Sequence, residues 1–168
     1  MSVQKKILLL GDGAVGKTSL VHRFVEGVFK DQYKATIGVD IFSKKVETSA
    51  GEVELQVWDL SGQSHFAAVR GKFYSKAEGA LLVFDLTNAD SFSNLEGWIK
   101  EVENASGVII PMFVLGNKND LAHLKAVEDD AIASFAGGRN WKWSTSSAKT
   151  GENVEEAFQG IAETVVGV

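Results

Sequence analysis

The residues best placed to do chemistry stand at the front of the chain, in Gly11-Asp12-Gly13-Ala14-Val15-Gly16-Lys17-Thr18. A glycine, four free positions and then Gly-Lys-Ser/Thr is the spacing of a loop that wraps phosphates. Glycines open backbone conformations in which successive N–H groups converge on one anion, and a helix starting at the lysine adds the positive end of its dipole. Lys17 supplies a point charge toward the β and γ phosphates. The Thr18 hydroxyl suits magnesium, a cation that prefers oxygen ligands and bridges phosphate groups. The flanks agree: Ile7 to Leu10 form an apolar run suited to a buried parallel strand, and Leu20, Val21, Phe24, Val25 and Val28 recur at helical spacing.

The chain must hold this loop at the carboxyl edge of a sheet. Strand-like and helix-like segments alternate without repeats or low-complexity tracts, as expected of an open α/β sheet with helices on both faces. Val53, Leu55 and Val57 alternate with Glu52, Glu54, Gln56 and Trp58, marking a strand with one apolar and one polar face, and Ser49-Ala50-Gly51 joins it as a hairpin to Val39–Glu47. Segments 80–84 and 109–115 read as buried strands. Phe92, Leu95, Ile99 and Val102 read as the inner face of one helix between them, and most of the remainder as polar or glycine-rich loop.

Ligands of such sheets gather at the carboxyl ends of the strands. Two further loops lie there, Asp59-Leu60-Ser61-Gly62-Gln63 and Gly116-Asn117-Lys118-Asn119-Asp120. Asp59 suits magnesium held through a water, with a helix cap as the plain alternative. The Gly62 N–H can face a γ-phosphate because no side chain blocks the approach. In Asn-Lys-x-Asp, the Asp120 carboxylate can accept from both N1–H and the 2-amino group of guanine. Adenine offers neither donor, so the wrong base leaves the carboxylate unpaired and is rejected.

Composition narrows the classes. The 168 residues, 45% of them hydrophobic, are enough for a single domain with a proper core, spanning 1–168. Seventeen basic against twenty-two acidic residues give a net charge of −5 without a basic run, so nucleic-acid binding is not expected. With no cysteine there are no disulfides or thiolate sites, and with no signal peptide or long apolar span the expected location is cytoplasmic. His22, His65 and His123 are scattered, and metal ligation by histidine is not expected. The sequence given ends Val165-Val166-Gly167-Val168, with no prenylatable cysteine or basic tail, so membrane attachment is expected only through a tail absent from it.

The phosphate loop, Thr36, Asp59-x-x-Gly62, Asn117-Lys118-x-Asp120 and Ser147-Ala148-Lys149, in that order, make the chain resemble a small GTPase of the Ras superfamily. The stretches YKATIGVD, VFDLTNADSF and LGNKNDL look most like the Rab branch, while GDGAVGKT is equally at home among Rho-type proteins. The resemblance implies a phosphate-loop G domain: a mostly parallel six-stranded sheet with one antiparallel edge strand, acting as a monomer on GTP and GDP with magnesium. It implies nucleotide contacts from Gly11, Asp12, Gly13, Ala14, Val15, Gly16, Lys17, Thr18 and Ser19. Further contacts fall to Phe29 against the guanine, Tyr33, Thr36, Gly62, Asn117, Lys118, Asp120, Leu121, Ser147, Ala148 and Lys149. Lys118 and Lys149 flank the base, and the Ala148 N–H reads the guanine O6. Thr18, Thr36 and, through water, Asp59 serve magnesium, and Gln63 positions the attacking water beside Lys17 and Gly62.

The chain also departs from the Rab pattern. Rab proteins usually carry an aromatic where Ile41 stands and Thr-Ala-Gly-Gln-Glu where this chain has Leu60-Ser61-Gly62-Gln63-Ser64, so the acidic residue commonly used in assisted exchange is replaced by Ser64. The resemblance implies effectors, GTPase-activating proteins and exchange factors at the switch segments Lys30–Asp40 and Leu60–Ser75. On the strand's polar face Trp58 is an expected contact, with Ile41, Phe42 and Phe73 or Tyr74 around it, since tryptophan is enriched at binding hot spots; ordinary packing under a switch segment is the alternative. The sequence leaves two readings of activity open, a slow GTP-hydrolysing switch and a nucleotide-binding interaction module. A kinase fits less well, because no residues remain for an acceptor pocket and its base.

Overall fold

A computed structural model describes residues 3–29, 38–60, 62 and 67–167. Six strands form one sheet in the order β2-β3-β1-β4-β5-β6. They are β1 (Val3–Leu10), β2 (Val39–Thr48), β3 (Gly51–Leu60), β4 (Gly79–Asp85), β5 (Met112–Asn117) and β6 (Lys142–Thr145). Only β2 runs antiparallel, paired with β3 through a two-residue turn at Ser49-Ala50; the other pairings are parallel. The expected fold is the observed one.

The pleat sorts each strand between two cores. Ile7 and Leu9 of β1, Val53, Leu55 and Val57 of β3, and Leu81 and Val83 of β4 face one core. There they meet α1 (Lys17–Glu26) and α6 (Val154–Val165). Leu8, Leu10, Leu82 and Phe84 face the other, which holds α4 (Leu95–Ser106) and α5 (Asp129–Gly137). All seven residues of β4 are buried, as a central parallel strand covered on both faces requires. The short helices α2 (Ala67–Arg70) and α3 (Ala89–Ser93), with 3-10 turns at Gly71–Phe73 and Asn119–Leu124, complete the described elements.

The structure corrects several boundaries. Helix α1 stops before Val28, because Gly27 takes a left-handed conformation and its N–H closes on the Arg23 carbonyl; Val28 is left exposed. The single helix expected across Phe92–Val102 is two, divided at Asn94, which ends α3 and begins α4. Ile109 is 70% exposed and precedes β5, which starts only after Pro111. The stretch read mainly as loop contains α5, β6 and α6. Among the described residues no helix is long and apolar enough to cross a membrane.

Helix α6 is pinned to α1 by Phe158, whose ring stacks on Phe24 with centroids 4.0 Å apart and planes 2° off parallel. Both rings are essentially buried. Truncation by Phe158→Ala is expected to cost about 3–5 kcal/mol. A denaturant titration at saturating GDP checks this, and a loss under about 1 kcal/mol would mean that the core closes over the gap.

Candidate nucleotide site

Three loops converge at the carboxyl edge of the sheet. The first runs from β1 into α1, where Gly16 takes φ +100 and a Cβ there would lie 2.3 Å from Asn117 Nδ2, so both the conformation and the close approach require glycine. Lys17 turns back over this loop and donates to the carbonyls of Gly11 (2.7 Å) and Asp12 (3.0 Å). Its ammonium is buried, and burial pushes its pKa down to about 8, although the carboxylates of Asp59 and Asp12 pull it back up. Thr18 Oγ1 donates to Asp59 Oδ2 at 2.6 Å. The other oxygen, Asp59 Oδ1, is buried without a hydrogen-bond partner, and burial holds this carboxyl above its ordinary range.

Gly62 lies directly on the first loop. A Cβ at Gly62 would stand 2.5 Å from the Gly11 carbonyl oxygen and 2.6 Å from both the Asp12 carbonyl carbon and the Gly13 nitrogen, so any side chain would collide with backbone. Asp59, through Thr18, and Gly62 therefore bring the end of β3 onto the phosphate loop.

The third group of residues follows β5 and β6. Asn117, buried at the end of β5, donates from Nδ2 to the Val15 carbonyl (3.0 Å) and accepts at Oδ1 from Ser146 Oγ and the Ala148 N–H, both 3.2 Å away. Lys118 adopts φ +72, a conformation that costs a non-glycine residue about 1 kcal/mol or more. Its ammonium holds that turn by pairing with Asp85 Oδ2 (2.9 Å) and the Ala14 carbonyl (2.9 Å). Ser147 Oγ donates to Asp120 Oδ1 at 2.8 Å and so orients that carboxylate. Arg23 on α1 reaches back to the same region, donating from Nε to the Ala148 carbonyl at 2.8 Å and from Nη2 to the Lys149 carbonyl.

These loops enclose a cleft of about 300 Å³ lined by Ala14, Gly16, Ser19, Phe29, Asn117, Lys118, Asp120, Leu121, Ala148 and Lys149. Ten residues expected at a nucleotide thus meet in one place, from sequence positions as far apart as 14 and 149. Tyr33, Thr36 and Gln63, with Ser61, Ser64 and His65, lie outside the described residues. Sequence reasoning missed three contributors to the site. Asp85 is legible only as the end of a buried strand, Arg23 as a polar position on the helix after the phosphate loop, and Ser146 as a neighbour of the Ser-Ala-Lys motif.

The surroundings of Trp58 need revision. The register pairs Ile41 with Trp58 and Phe42 with Val57, so Phe42 points to the opposite face of the sheet, where it meets His22 at 5.3 Å between rings. Tyr74 is in the core, 1% exposed. Those around Trp58 are Ile41, 53% exposed, Phe73 with ring centroids 6.0 Å apart, and Lys6, whose ammonium lies 3.8 Å over the indole. Trp58 itself is half-buried against the second core.

Comparison with known sequences agrees with this geometry. A sequence model of the Ras family matches residues 6–167. The chain belongs to the Ras family of small GTPases. Among its relatives, it is 37% identical to the Ras-related protein RGP2 of Oryza sativa subsp. japonica over 163 residues, 97% of this chain and 75% of the relative. It is 37% identical over 156 residues to the GTP-binding protein ypt3 of Schizosaccharomyces pombe, covering 93% of this chain and 73% of that one. With the Ras-related protein Rab-13 of Canis lupus familiaris it shares 35% identity over 161 residues, 96% of this chain and 79% of the relative. The Rab-type resemblance read from the motifs holds along most of the chain.

The lowered Lys17 pKa gives a pH signature. Below pH 8 the buried ammonium costs the nucleotide-free fold stability, and the cost is relieved as pH rises from 8 toward the ordinary value of 10.5. Bound phosphates restore the charged form, so GDP binding takes up a proton wherever free Lys17 is neutral. Calorimetry in buffers of different ionisation enthalpy should show uptake of about a quarter of a proton per GDP at pH 7.5, growing toward one by pH 9. A flat profile would place Lys17 at its ordinary pKa.

Proposed function

We propose that this chain is a guanine-nucleotide-dependent switch that binds GTP and GDP with magnesium, hydrolyses GTP slowly, and acts in Rab-like trafficking or signalling. The observation that carries the reading is one cleft lined both by Ala14 and Gly16 of the phosphate loop, next to the inward lysine, and by the Asp120 carboxylate that Ser147 holds in place. A nucleotide fills both ends at once. The base lies between Phe29 and the Lys118 and Lys149 stems, with Asp120 accepting from N1–H and the 2-amino group. The Ala148 N–H, whose bond to Asn117 is long at 3.2 Å, is shared with the guanine O6.

Lys17 exchanges its bonds to the Gly11 and Asp12 carbonyls for the β and γ phosphates, and the loop N–H groups close around them. The Thr18 hydroxyl and Asp59 fit magnesium: they are hard oxygen donors already in contact, and Asp59 Oδ1 is a buried acceptor with no donor. Thr18 would ligate the ion directly, with Asp59 acting through water and Thr36 completing the set. When bound, the ion neutralises charge on the β and γ phosphate oxygens. Gln63 positions the attacking water, accepting from it and donating toward the γ-phosphate, while the Gly62 N–H points at the same phosphate. These contacts exist only with GTP, so segments 30–40 and 60–75 sense which nucleotide is bound.

Charge compensation for hydrolysis is incomplete. The chain has three arginines, Arg23, Arg70 and Arg139. Arg23 serves the carbonyls of Ala148 and Lys149, Arg70 serves Glu101, and Arg139 serves Glu96. An arginine for the transition state therefore comes from a partner. Effectors and regulators dock across the switch segments and the Trp58–Ile41–Phe73 surface, where an exposed aliphatic residue and a tryptophan adjoin. The Gln63 side chain is what favours hydrolysis over a pure binding module.

Two measurements test this reading. Asp120→Asn should weaken guanine nucleotide binding by on the order of 2–3 kcal/mol and shift preference toward xanthine nucleotides, whose 2-oxo group can accept from the asparagine amide. Equal affinity of the unaltered protein for ATP and GTP would refute it. Single-turnover phosphate release without a partner should run on the order of 10⁻⁴ per second, the scale of Ras itself, and Gln63→Leu should slow it further. A rate near one per second would contradict the assignment of the arginines.

A further inference from the structure

One side chain of the phosphate loop is unexplained by phosphate binding. Asp12 brings a carboxylate into a loop that grips anions, and like charges at that range repel. Both of its oxygens are committed elsewhere. Oδ1 accepts from Trp98 Nε1 at 2.9 Å, and Oδ2 from Asn94 Nδ2 at 2.7 Å. Asn94 and Trp98 stand four residues apart at the start of α4, which places them on one face of the helix.

The indole is itself fixed. The Arg70 guanidinium lies 4.3 Å over the Trp98 ring. Glu101, three residues further along the same face of α4, accepts from Arg70 Nε (3.0 Å) and Nη2 (2.8 Å) and from the Tyr74 hydroxyl. Trp98 is 7% exposed, so its ring is held by packing on one side and by a guanidinium on the other. Its N–H has one orientation, toward Asp12.

We propose that Trp98 and Asn94 are positioning residues for the phosphate loop, holding the Asp12 carboxylate against α4 and away from the nucleotide phosphates. The inference rests on the guanine-nucleotide reading given above. A carboxylate released from these two donors is free to rotate toward Lys17, whose ammonium already lies 3.0 Å from the Asp12 carbonyl oxygen. There it competes with the phosphates for the one loop cation and adds a like charge beside them. The hold also fixes the backbone of Asp12 and Gly13, the surface on which Gly62 rests.

Trp98→Phe removes the N–H and keeps a ring beneath Arg70. Release of a fluorescent GDP from the magnesium-loaded protein should quicken about tenfold, the scale of one lost hydrogen bond to a charged group. Asn94→Ala, at an exposed position where folding is not at risk, should act in the same direction. In an Asp12→Ala background, where no carboxylate remains to be held, Trp98→Phe should add no further acceleration. Release within twofold of the unaltered protein for both single variants would overturn the proposal and leave the guanine-nucleotide reading intact. Equal acceleration by Trp98→Phe with and without Asp12 would also overturn it, making Trp98 a packing residue only. An unaltered protein that binds no GDP would overturn both readings before any variant is made.

Discussion

The arrangement of the site depends on the side-chain amide of Asn117. A buried amide must satisfy both its oxygen and its nitrogen, and here each partner belongs to a different loop: Val15 on the phosphate loop, and Ser146 and Ala148 after β6. Since Asn117 is the last residue of β5, one side chain fixes the spacing between the phosphate end of the cleft and its base end. Gly16 is the counterpart of this interaction, because no larger residue leaves room for the amide. Lys118 adds a second tie between the same elements, at the cost of a left-handed backbone.

The strands were legible because their burial differs in kind. β4 and the end of β1 are covered on both faces and read as continuous apolar runs, whereas β3 alternates because one face is packed less completely. The short β6 was not legible, since its four residues include Lys142, Ser144 and Thr145 and it is defined by pairing with β5 rather than by composition. Helix α6 packs onto the sheet through Ala157, Phe158, Ile161 and Ala162, a stripe interrupted by polar residues and by Gly160, which blurs its apolar periodicity in sequence. Ile109 misled because apolar identity says nothing about side-chain direction beside a proline.

The residues gathered at the cleft were more legible than the elements around them, because the phosphate-loop and Asn-Lys-x-Asp patterns restrict residue type as well as hydrophobicity. Gly16, Lys17, Thr18, Asn117 and Asp120 each have few chemical substitutes. The supporting residues Arg23, Asp85, Asn94 and Trp98 carry no such signature. Each is recognisable only once the sheet brings distant segments together, as Asp12 and Trp98 are brought together across 86 positions of sequence. The placement of Phe42 failed on a parity argument: it lies opposite Val57 in the register, and so shares that residue's face rather than the face of Trp58.

Arg23 has a consequence for how ligand fragments behave. It extends from the helix that begins at the phosphate loop and grasps the carbonyls of Ala148 and Lys149 at the base end. The two ends of the cleft are thus braced against one another, like two arms of a chelating agent set at a fixed span. A nucleoside and a pyrophosphate offered separately each pay their own entropy of association. Joined by a phosphoester bond at the ribose 5′-oxygen, the second end binds at the high effective concentration set by the first. The strength of the whole therefore resides in the rigidity of the span as much as in either set of contacts, and a partner that loosens the brace at one end weakens the hold at the other.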